Sequence, residues 1–140
     1  MKIIFIVPTI GRQSLINTIQ SLINLTNNNW KALIIFDGVK NNLEKEYIKK
    51  ININNQFIFL EIEKCGIINE NQINNCAGQV RNYGIEYLLT HEELKTEYIG
   101  FLDDDDTLHP NYIYYLDKEE LNFNFSLIVF RMMYKNFNII

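Results

Sequence analysis

The stretch that decides the fold is "KIIFIVPTIGR", Lys2–Arg12. Its first six residues are almost all apolar and mostly β-branched, which is typical of a strand buried on both faces of a sheet, and Pro8 is expected to end it. After the polar turn, apolar residues recur at helical spacing and predict an amphipathic helix. They are Leu15, Ile16, Ile19, Leu22 and Ile23. This strand–turn–helix sequence is the first unit expected of an α/β fold.

The rest of the chain repeats this alternation of apolar runs and helical patterns. Further strands are predicted at "KALIIFDG" (31–38), "FIFLEIE" (57–63), "EYIGFL" (97–102) and "SLIVFRMMY" (126–134). Helices are predicted at 42–51, 76–89 and 111–121, and the polar segment 64–75 is expected to be a loop. The alternation predicts one α/β domain, residues 1–140, with a mostly parallel sheet and helices on both faces, as in Rossmann-like folds.

The helix predicted at 76–89 carries a glycine inside its apolar stripe. The stripe consists of Ala77, Val80, Gly84, Ile85 and Leu88. Glycine within a helix costs about 1 kcal/mol relative to alanine. Close packing of the helix against the sheet would compensate for this cost, so we expect Gly84 to face the sheet.

Polar segments follow three of the predicted strands. They are "PTIGR" (8–12), "DG" (37–38) and "DDDDTLHP" (103–110). In open parallel sheets, ligands bind outside the carboxyl ends of the strands. We therefore expect these three segments to meet at one edge of the sheet, although they are far apart in the sequence.

The four consecutive aspartates, Asp103–Asp106, are the most unusual feature of the sequence. The net charge is −4 and this tetrad carries four negative charges, so the remainder of the chain is neutral. Converging carboxylates suit Mg²⁺, Mn²⁺ or Ca²⁺, and on an extended segment Asp103 and Asp105 would point the same way. The alternative is a solvated acidic turn. A calcium loop of the helix–loop–helix type lacks its Glu at the twelfth position, and Leu108 and Pro110 interrupt the pattern.

Other polar residues have both an ordinary and a functional interpretation. Asp37, at a strand end, either closes a turn or accepts hydrogen bonds from a base or ribose. Arg81, near the start of its helix, is either a surface residue or a partner of the Asp cluster or of a diphosphate. His109, before Pro110, is more typical of a turn than of metal ligation, and His91 of a solvated helix end.

Several classes of protein are disfavoured by the sequence. A chain with no basic face is not expected to bind nucleic acid, and "VPTIGR" matches neither a Walker loop nor G-x-G-x-x-G. The apolar run at the start is too short to span a bilayer and lacks a signal-peptide cleavage pattern. Cys65 and Cys76 lack a second ligand pair for zinc, and buried thiols are favoured over a disulfide. The expected location is the cytoplasm.

In order and spacing, four segments resemble the family 2 glycosyltransferases of GT-A fold. They are "IIFIVPTIGR", "LINTIQSLINLTNNNWKALIIFDG", "AGQVRNYGI" and "EYIGFLDDDDTLHPNYI", and together they cover nearly the whole chain. The last is the most specific, because it matches the Leu-Asp-x-Asp-Asp element that is this family's version of the DXD motif. The resemblance implies a hexosyltransferase, with inversion as the expected outcome, that uses a nucleotide-activated sugar, most often a UDP-sugar.

The resemblance also implies residues that bind the donor. Pro8, Thr9 and Arg12 would border the nucleotide base. Asp37 would form a hydrogen bond with the base, and Arg81 would lie close to the DXD loop and the diphosphate. The acceptor cannot be named from the sequence.

Within the tetrad, the resemblance implies a division of roles. Asp105 would be the principal ligand of Mn²⁺ or Mg²⁺, and Asp103 or Asp104 would approach the ribose or the metal, with Asp103 the second ligand. Such an ion would stabilise the charge that develops on the departing diphosphate. Asp106 is the nearest spare carboxylate for a catalytic base, which otherwise has no matching residue.

Family members are usually longer, and their second half supplies the acceptor site and the base. The chain is therefore expected to be a nucleotide-sugar-binding GT-A domain that lacks most of that half. One hypothesis is a minimal glycosyltransferase or sugar-nucleotide hydrolase. The other is a non-catalytic metal- and nucleotide-sugar-binding module, or the donor half of a split enzyme. A calcium-stabilised structural domain is a third hypothesis. An uncovered sheet edge also favours a homo-oligomer.

Overall fold

The structure, a computed structural model, describes residues 1–39, 43–50, 55–65, 67–69, 72–73 and 76–122. The strands are β1 (Ile3–Thr9), β2 (Trp30–Asp37), β3 (Phe57–Ile62), β4 (Ile67–Asn69), β5 (Gln72–Ile73) and β6 (Tyr98–Phe101). The helices are α1 (Leu15–Ile23), α2 (Leu43–Lys50), α3 (Ala77–Thr90) and α4 (Tyr112–Asn122), and a short 3-10 turn lies at Glu92–Leu94.

The main sheet has the strand order β3-β2-β1-β6, and all its pairs are parallel. Because side chains alternate along a strand, β1 contributes to a separate core on each face. Ile3, Phe5 and Val7 pack with residues of α1, α2 and α4. Ile4 and Ile6 pack on the opposite face with residues of α3. The predicted α/β class, with a parallel sheet and helices on both faces, is confirmed.

The chain reverses its direction of travel across the sheet next to β1. It passes outward from β1 through β2 to β3, and α3 then returns on the other face to place β6 on the far side of β1. This arrangement makes the boundary between β1 and β6 the topological switch point. In open α/β sheets, a ligand crevice forms outside the carboxyl ends of the strands at such a point.

Gly84 faces the sheet, as its place in the apolar stripe predicts. A Cβ atom added at Gly84 would lie 2.9 Å from Cδ1 of Ile35 and 2.9 Å from Cγ2 of Ile6. Val80 and Leu88, one turn away on either side, are buried in the same core. The absence of a side chain at Gly84 therefore lets α3 approach β1 and β2 closely.

Two local predictions were wrong. Pro8 lies within β1 instead of ending it. The carbonyl groups of Lys2 and Ile6 accept hydrogen bonds from Tyr98 and Leu102 on the β6 side, and by alternation Pro8 faces that side too. The β1–β6 pairing stops at Ile6, so the N–H that Pro8 lacks is not needed.

The second wrong prediction concerns the segment expected to be a loop, which contains the antiparallel pair β4–β5. Strands of only three and two residues give little apolar periodicity, so the sequence pattern missed them. The strand predicted at 126–134 lies outside the described residues. Within the described ranges, no helix is long and apolar enough to cross a membrane.

Candidate active site

The register of the central strands brings the first and last predicted site segments together. Ile6 on β1 pairs with Phe101 on β6. Three residues further along the chain from each of these, Thr9 contacts Asp104, which follows the end of β6. The polar segments after β1 and β6 therefore meet at the switch point, as the strand-end rule predicts.

Asp104 points inward, and its side chain is only 7% exposed. The hydroxyl of Thr9 donates a hydrogen bond of 2.7 Å to Asp104 Oδ2, and this contact is buried. Arg12 Nη1 donates to Asp104 Oδ1 at 3.2 Å. The Gly11 backbone N–H donates to Thr9 Oγ1 at 2.9 Å, which sets the direction of that hydroxyl group. Both carboxylate oxygens of Asp104 are thus bound by the β1–α1 turn.

The other three aspartates converge on the opposite side of a tight turn. The turn is closed by a 3.1 Å hydrogen bond from the Asp106 N–H to the Asp103 carbonyl. One carboxylate oxygen each from Asp103, Asp105 and Asp106 lies within 4.8 Å of the other two. We call these three residues the carboxylate trio. The segment is a turn and not the extended stretch assumed from alternation, yet Asp103 and Asp105 still come together.

The donor set and spacing of the trio suit a divalent cation. Mg²⁺ and Ca²⁺ bind oxygen ligands at about 2.0–2.6 Å, so opposite ligands of one ion are about 4–5 Å apart. The pKa of Asp106 is raised, first by partial burial and then by the negative charges of Asp105 and Asp103. A cation bound between these carboxylates would favour their ionised forms and so counteract both causes of the raised pKa of Asp106. The residues present therefore fit a metal.

Two arginines flank the trio from different elements. Arg81 on α3 pairs with Asp103 through its Nη2 atom. Arg12, after β1, lies 3.5 Å from Asp105 as well as contacting Asp104. These guanidinium groups offset part of the negative charge of the loop.

Asp37 ends β2 at the same edge of the sheet but has a separate set of partners. Lys64 Nζ donates to Asp37 Oδ2, and the backbone N–H of Cys65 donates to Oδ1 at 2.7 Å. Gly38 has a φ of +70°, and a Cβ there would lie 2.6 Å from Cβ of Lys64. The role of Asp37 toward a base stays a prediction.

Lys64 was missed by the sequence reasoning. It follows β3 closely, so the same strand-end rule would have placed it at this edge had it been applied to every strand.

Comparison with known proteins identifies the family. The profile of glycosyl transferase family 2 matches residues 4–136, which is nearly the whole chain. The chain belongs to this family. The resemblance inferred from the four sequence segments is thereby confirmed at the level of the family.

Solved structures of S. aureus TarS share the fold of this family 2 domain. The TarS 1–349 complex with UDP-GlcNAc has a TM-score of 0.62 at 15% identity and covers 84% of this chain. A second structure of TarS 1–349 has a TM-score of 0.59 at 16% identity, again over 84% of this chain. A further TarS structure has a TM-score of 0.59 at 17% identity over 86% of this chain. The alignments span 30%, 32% and 20% of those chains. No curated protein sequence matches the chain.

The remaining candidate residues of the family 2 domain have ordinary surroundings. His109 Nδ1 accepts the Asn111 N–H at 3.1 Å, which fits the turn interpretation. His91 follows the end of α3 and stacks on Tyr87 with ring centroids 3.9 Å apart. Cys65 and Cys76 are free cysteines, so the preference for thiols over a disulfide is confirmed, but both are only partly buried. Partial burial raises the pKa of Cys65.

Proposed function

We propose that this family 2 domain is a metal-dependent glycosyltransferase that transfers a sugar from a UDP-sugar to an acceptor hydroxyl. The observation that carries the proposal is the carboxylate trio, set between Arg12 and Arg81 at the switch point of the fold. Family membership supports transfer of a sugar. Clustered carboxylates beside guanidinium groups support a metal-bound diphosphate as the leaving group.

The proposed donor is a UDP-sugar, the class of ligand present in the TarS complex that has the same fold. Arg81 would contact the diphosphate oxygens once the carboxylates face a cation, whereas Arg12 would stay paired with Asp104 and border the base. Asp37 would accept a hydrogen bond from the base, in exchange for one of those from Lys64 or Cys65. Pro8 and Thr9 would border the nucleotide from the end of β1.

The proposed mechanism divides the work among residues of the loop. Asp103 and Asp105 would hold Mn²⁺ or Mg²⁺. The ion would supply Lewis-acid stabilisation of the negative charge on the departing diphosphate. Arg81 would add charge-assisted hydrogen bonds to the same group. In an inverting displacement, a carboxylate takes the proton of the acceptor hydroxyl as the glycosidic bond forms and the sugar–diphosphate bond breaks. Asp106 is the residue proposed for that step.

One observation favours a second candidate, a module that binds the metal–nucleotide complex without transferring the sugar. Asp106 belongs to the carboxylate trio, where it faces the position of the cation. A carboxylate that binds the metal is a poor base for a hydroxyl group elsewhere. In that case the acceptor site and the base would come from another chain or segment.

Release of UDP distinguishes the two candidates. Incubation with UDP-GlcNAc, UDP-glucose or UDP-galactose and Mn²⁺ should release UDP, and omitting Mn²⁺ or adding excess chelator should abolish the release. UDP binding without release would favour the binding module. Metal-independent release at the same rate would contradict the proposed role of the trio.

A further inference from the structure

We propose that Asp104 is a positioning residue that locks the carboxylate trio in place through Thr9, and that it binds neither the metal nor the ribose. This inference rests on the proposed function, because the trio is taken as the metal site. It also reassigns Asp104, which the family resemblance places near the ribose or the metal.

The burial of Asp104 requires partners that stay in place. Its side chain is 7% exposed, whereas those of Asp103 and Asp105 are 50% and 58% exposed. Taking a carboxylate out of water costs several kcal/mol unless hydrogen bonds and an opposite charge compensate. Thr9 and Arg12 supply these to separate oxygens of the carboxylate. Rotation of Asp104 toward a ligand would break both contacts.

The hydroxyl of Thr9 is oriented by its own partner. A hydroxyl group has one proton to donate, and at Thr9 the Gly11 N–H occupies an acceptor position of the oxygen. The proton is therefore directed to Asp104, over the buried distance of 2.7 Å. Two successive hydrogen bonds, from Gly11 to Thr9 and from Thr9 to Asp104, therefore connect the turn after β1 to the turn after β6.

This connection fixes the backbone from which the trio projects. Asp104 lies inside the turn that the Asp106 N–H closes on the Asp103 carbonyl. When Asp104 is held inward, its neighbours on both sides must project outward and together. Arg12 strengthens the coupling, since it contacts both Asp104 and Asp105. Loss of the Thr9 hydroxyl should therefore disorder the trio without removing any of its ligands.

The test compares Thr9→Val, which keeps the shape of the side chain but lacks the hydroxyl, with Thr9→Ser, which keeps the hydroxyl. Mn²⁺ affinity is measured with Mn²⁺ alone, from the electron paramagnetic resonance signal of the free ion. We expect Thr9→Val to weaken Mn²⁺ binding about tenfold and Thr9→Ser to change it by less than about twofold. Ile48→Val, a core change on helix α2, controls for general destabilisation and should keep the parental affinity.

A second readout needs no metal. The exchange rate of the Asp106 amide hydrogen, followed by NMR, should rise about fivefold in Thr9→Val, because the turn opens more often, and should stay at the parental rate in Thr9→Ser. Parental Mn²⁺ affinity and parental exchange in Thr9→Val would overturn the proposal. Suppose that Asp105→Ala and the parent bind Mn²⁺ equally weakly, but the Asp106 amide hydrogen still exchanges faster in Thr9→Val. The positioning role of Asp104 is then upheld, and the metal site is refuted. Equally weak Mn²⁺ binding together with an unchanged exchange rate in Thr9→Val overturns both the positioning role and the metal site.

Discussion

Within Asp103–Asp106, the direction of each side chain decides what that residue can do. Asp104 is buried against the turn after β1, whereas the carboxylates of the trio come together on the outer side of the loop. Like charges at this spacing repel, and Arg12 and Arg81 offset only part of that repulsion. A divalent cation would add the missing positive charge and supply the coordination that these oxygens favour.

Arg81 gives a prediction at this scale. Arg81→Gln removes a guanidinium group that pairs with Asp103 and that we place beside the diphosphate. A charge-assisted hydrogen bond contributes about 1.5–3 kcal/mol, so UDP affinity in the presence of Mn²⁺ should fall at least about tenfold in a calorimetric titration. Affinity for Mn²⁺ alone should stay the same or rise, because a competing cation has been removed from Asp103.

The matched variant for this prediction is Arg81→Lys, which keeps the charge and loses the forked geometry. It should fall between the parent and Arg81→Gln in UDP affinity. Equal UDP affinity in all three proteins would show that Arg81 does not contact the diphosphate.

At the scale of elements, α3 offers two glycines with opposite surroundings. Gly84→Ala gains about 1 kcal/mol of helix propensity but places a Cβ 2.9 Å from Ile6 and Ile35. Overpacking of a core typically costs about 1–3 kcal/mol, so the net result should be a loss of about 1 kcal/mol. A Cβ at Gly78 meets no atom within 4 Å, so Gly78→Ala should instead stabilise by about 0.5 kcal/mol.

Urea unfolding of the two alanine variants measures both changes in the free energy of unfolding. Because both substitutions lie in one helix and are the same chemical change, propensity alone predicts the same sign for both. Stabilisation by Gly84→Ala would mean that α3 does not approach β1 and β2 as closely as described.

The contact between α2 and β3 gives a pH-dependent prediction. Glu61 on β3 accepts hydrogen bonds from Lys45 and Lys49 of α2, and these, the Lys45 bond first, lower its pKa from 4.5 to about 2. A lowered folded-state pKa stabilises the fold above pH 4.5, and this contribution is lost as pH falls toward 2. Because the Glu61 side chain is 51% exposed, the contribution should stay below about 1 kcal/mol.

Glu61→Gln tests that assignment. The free energy of unfolding of the parent should fall more steeply between pH 5 and pH 2 than that of Glu61→Gln, while Glu93→Gln, an exposed change on the 3-10 turn, should follow the parent. Parallel pH profiles for the parent and Glu61→Gln would refute a role of Glu61 in acid stability.

At the scale of the whole molecule, periodicity predicts most of the fold. Buried parallel strands appear as unbroken apolar runs such as "KIIFIV", and amphipathic helices as stripes such as that of α1, so both are visible in one sequence. The β4–β5 pair was missed because such short strands carry almost no pattern. Pro8 was misplaced because its place in the strand depends on where the pairing with β6 stops, which is a tertiary property.

The candidate site was predictable in its location but not in its internal geometry. The strand-end rule correctly brings the segment at Thr9 to the tetrad. No local signal says that Asp104 turns inward, since this depends on the Thr9 hydroxyl from a distant part of the sequence. The roles of the site residues, and the expectation of a homo-oligomer, stay predictions.

Calorimetric titration of UDP with and without Mn²⁺, for the parent and for Asp105→Ala, tests the central claim that the trio binds the metal of a nucleotide donor. Asp105 is an exposed member of the trio, so the variant should remain folded by circular dichroism. The parent should bind UDP at least about tenfold more tightly with Mn²⁺ than without it, and Asp105→Ala should lose that difference. Glu93→Ala, at a distant exposed carboxylate, should behave as the parent. UDP binding by the parent that does not depend on Mn²⁺, or an undiminished Mn²⁺ effect in Asp105→Ala, would contradict the claim.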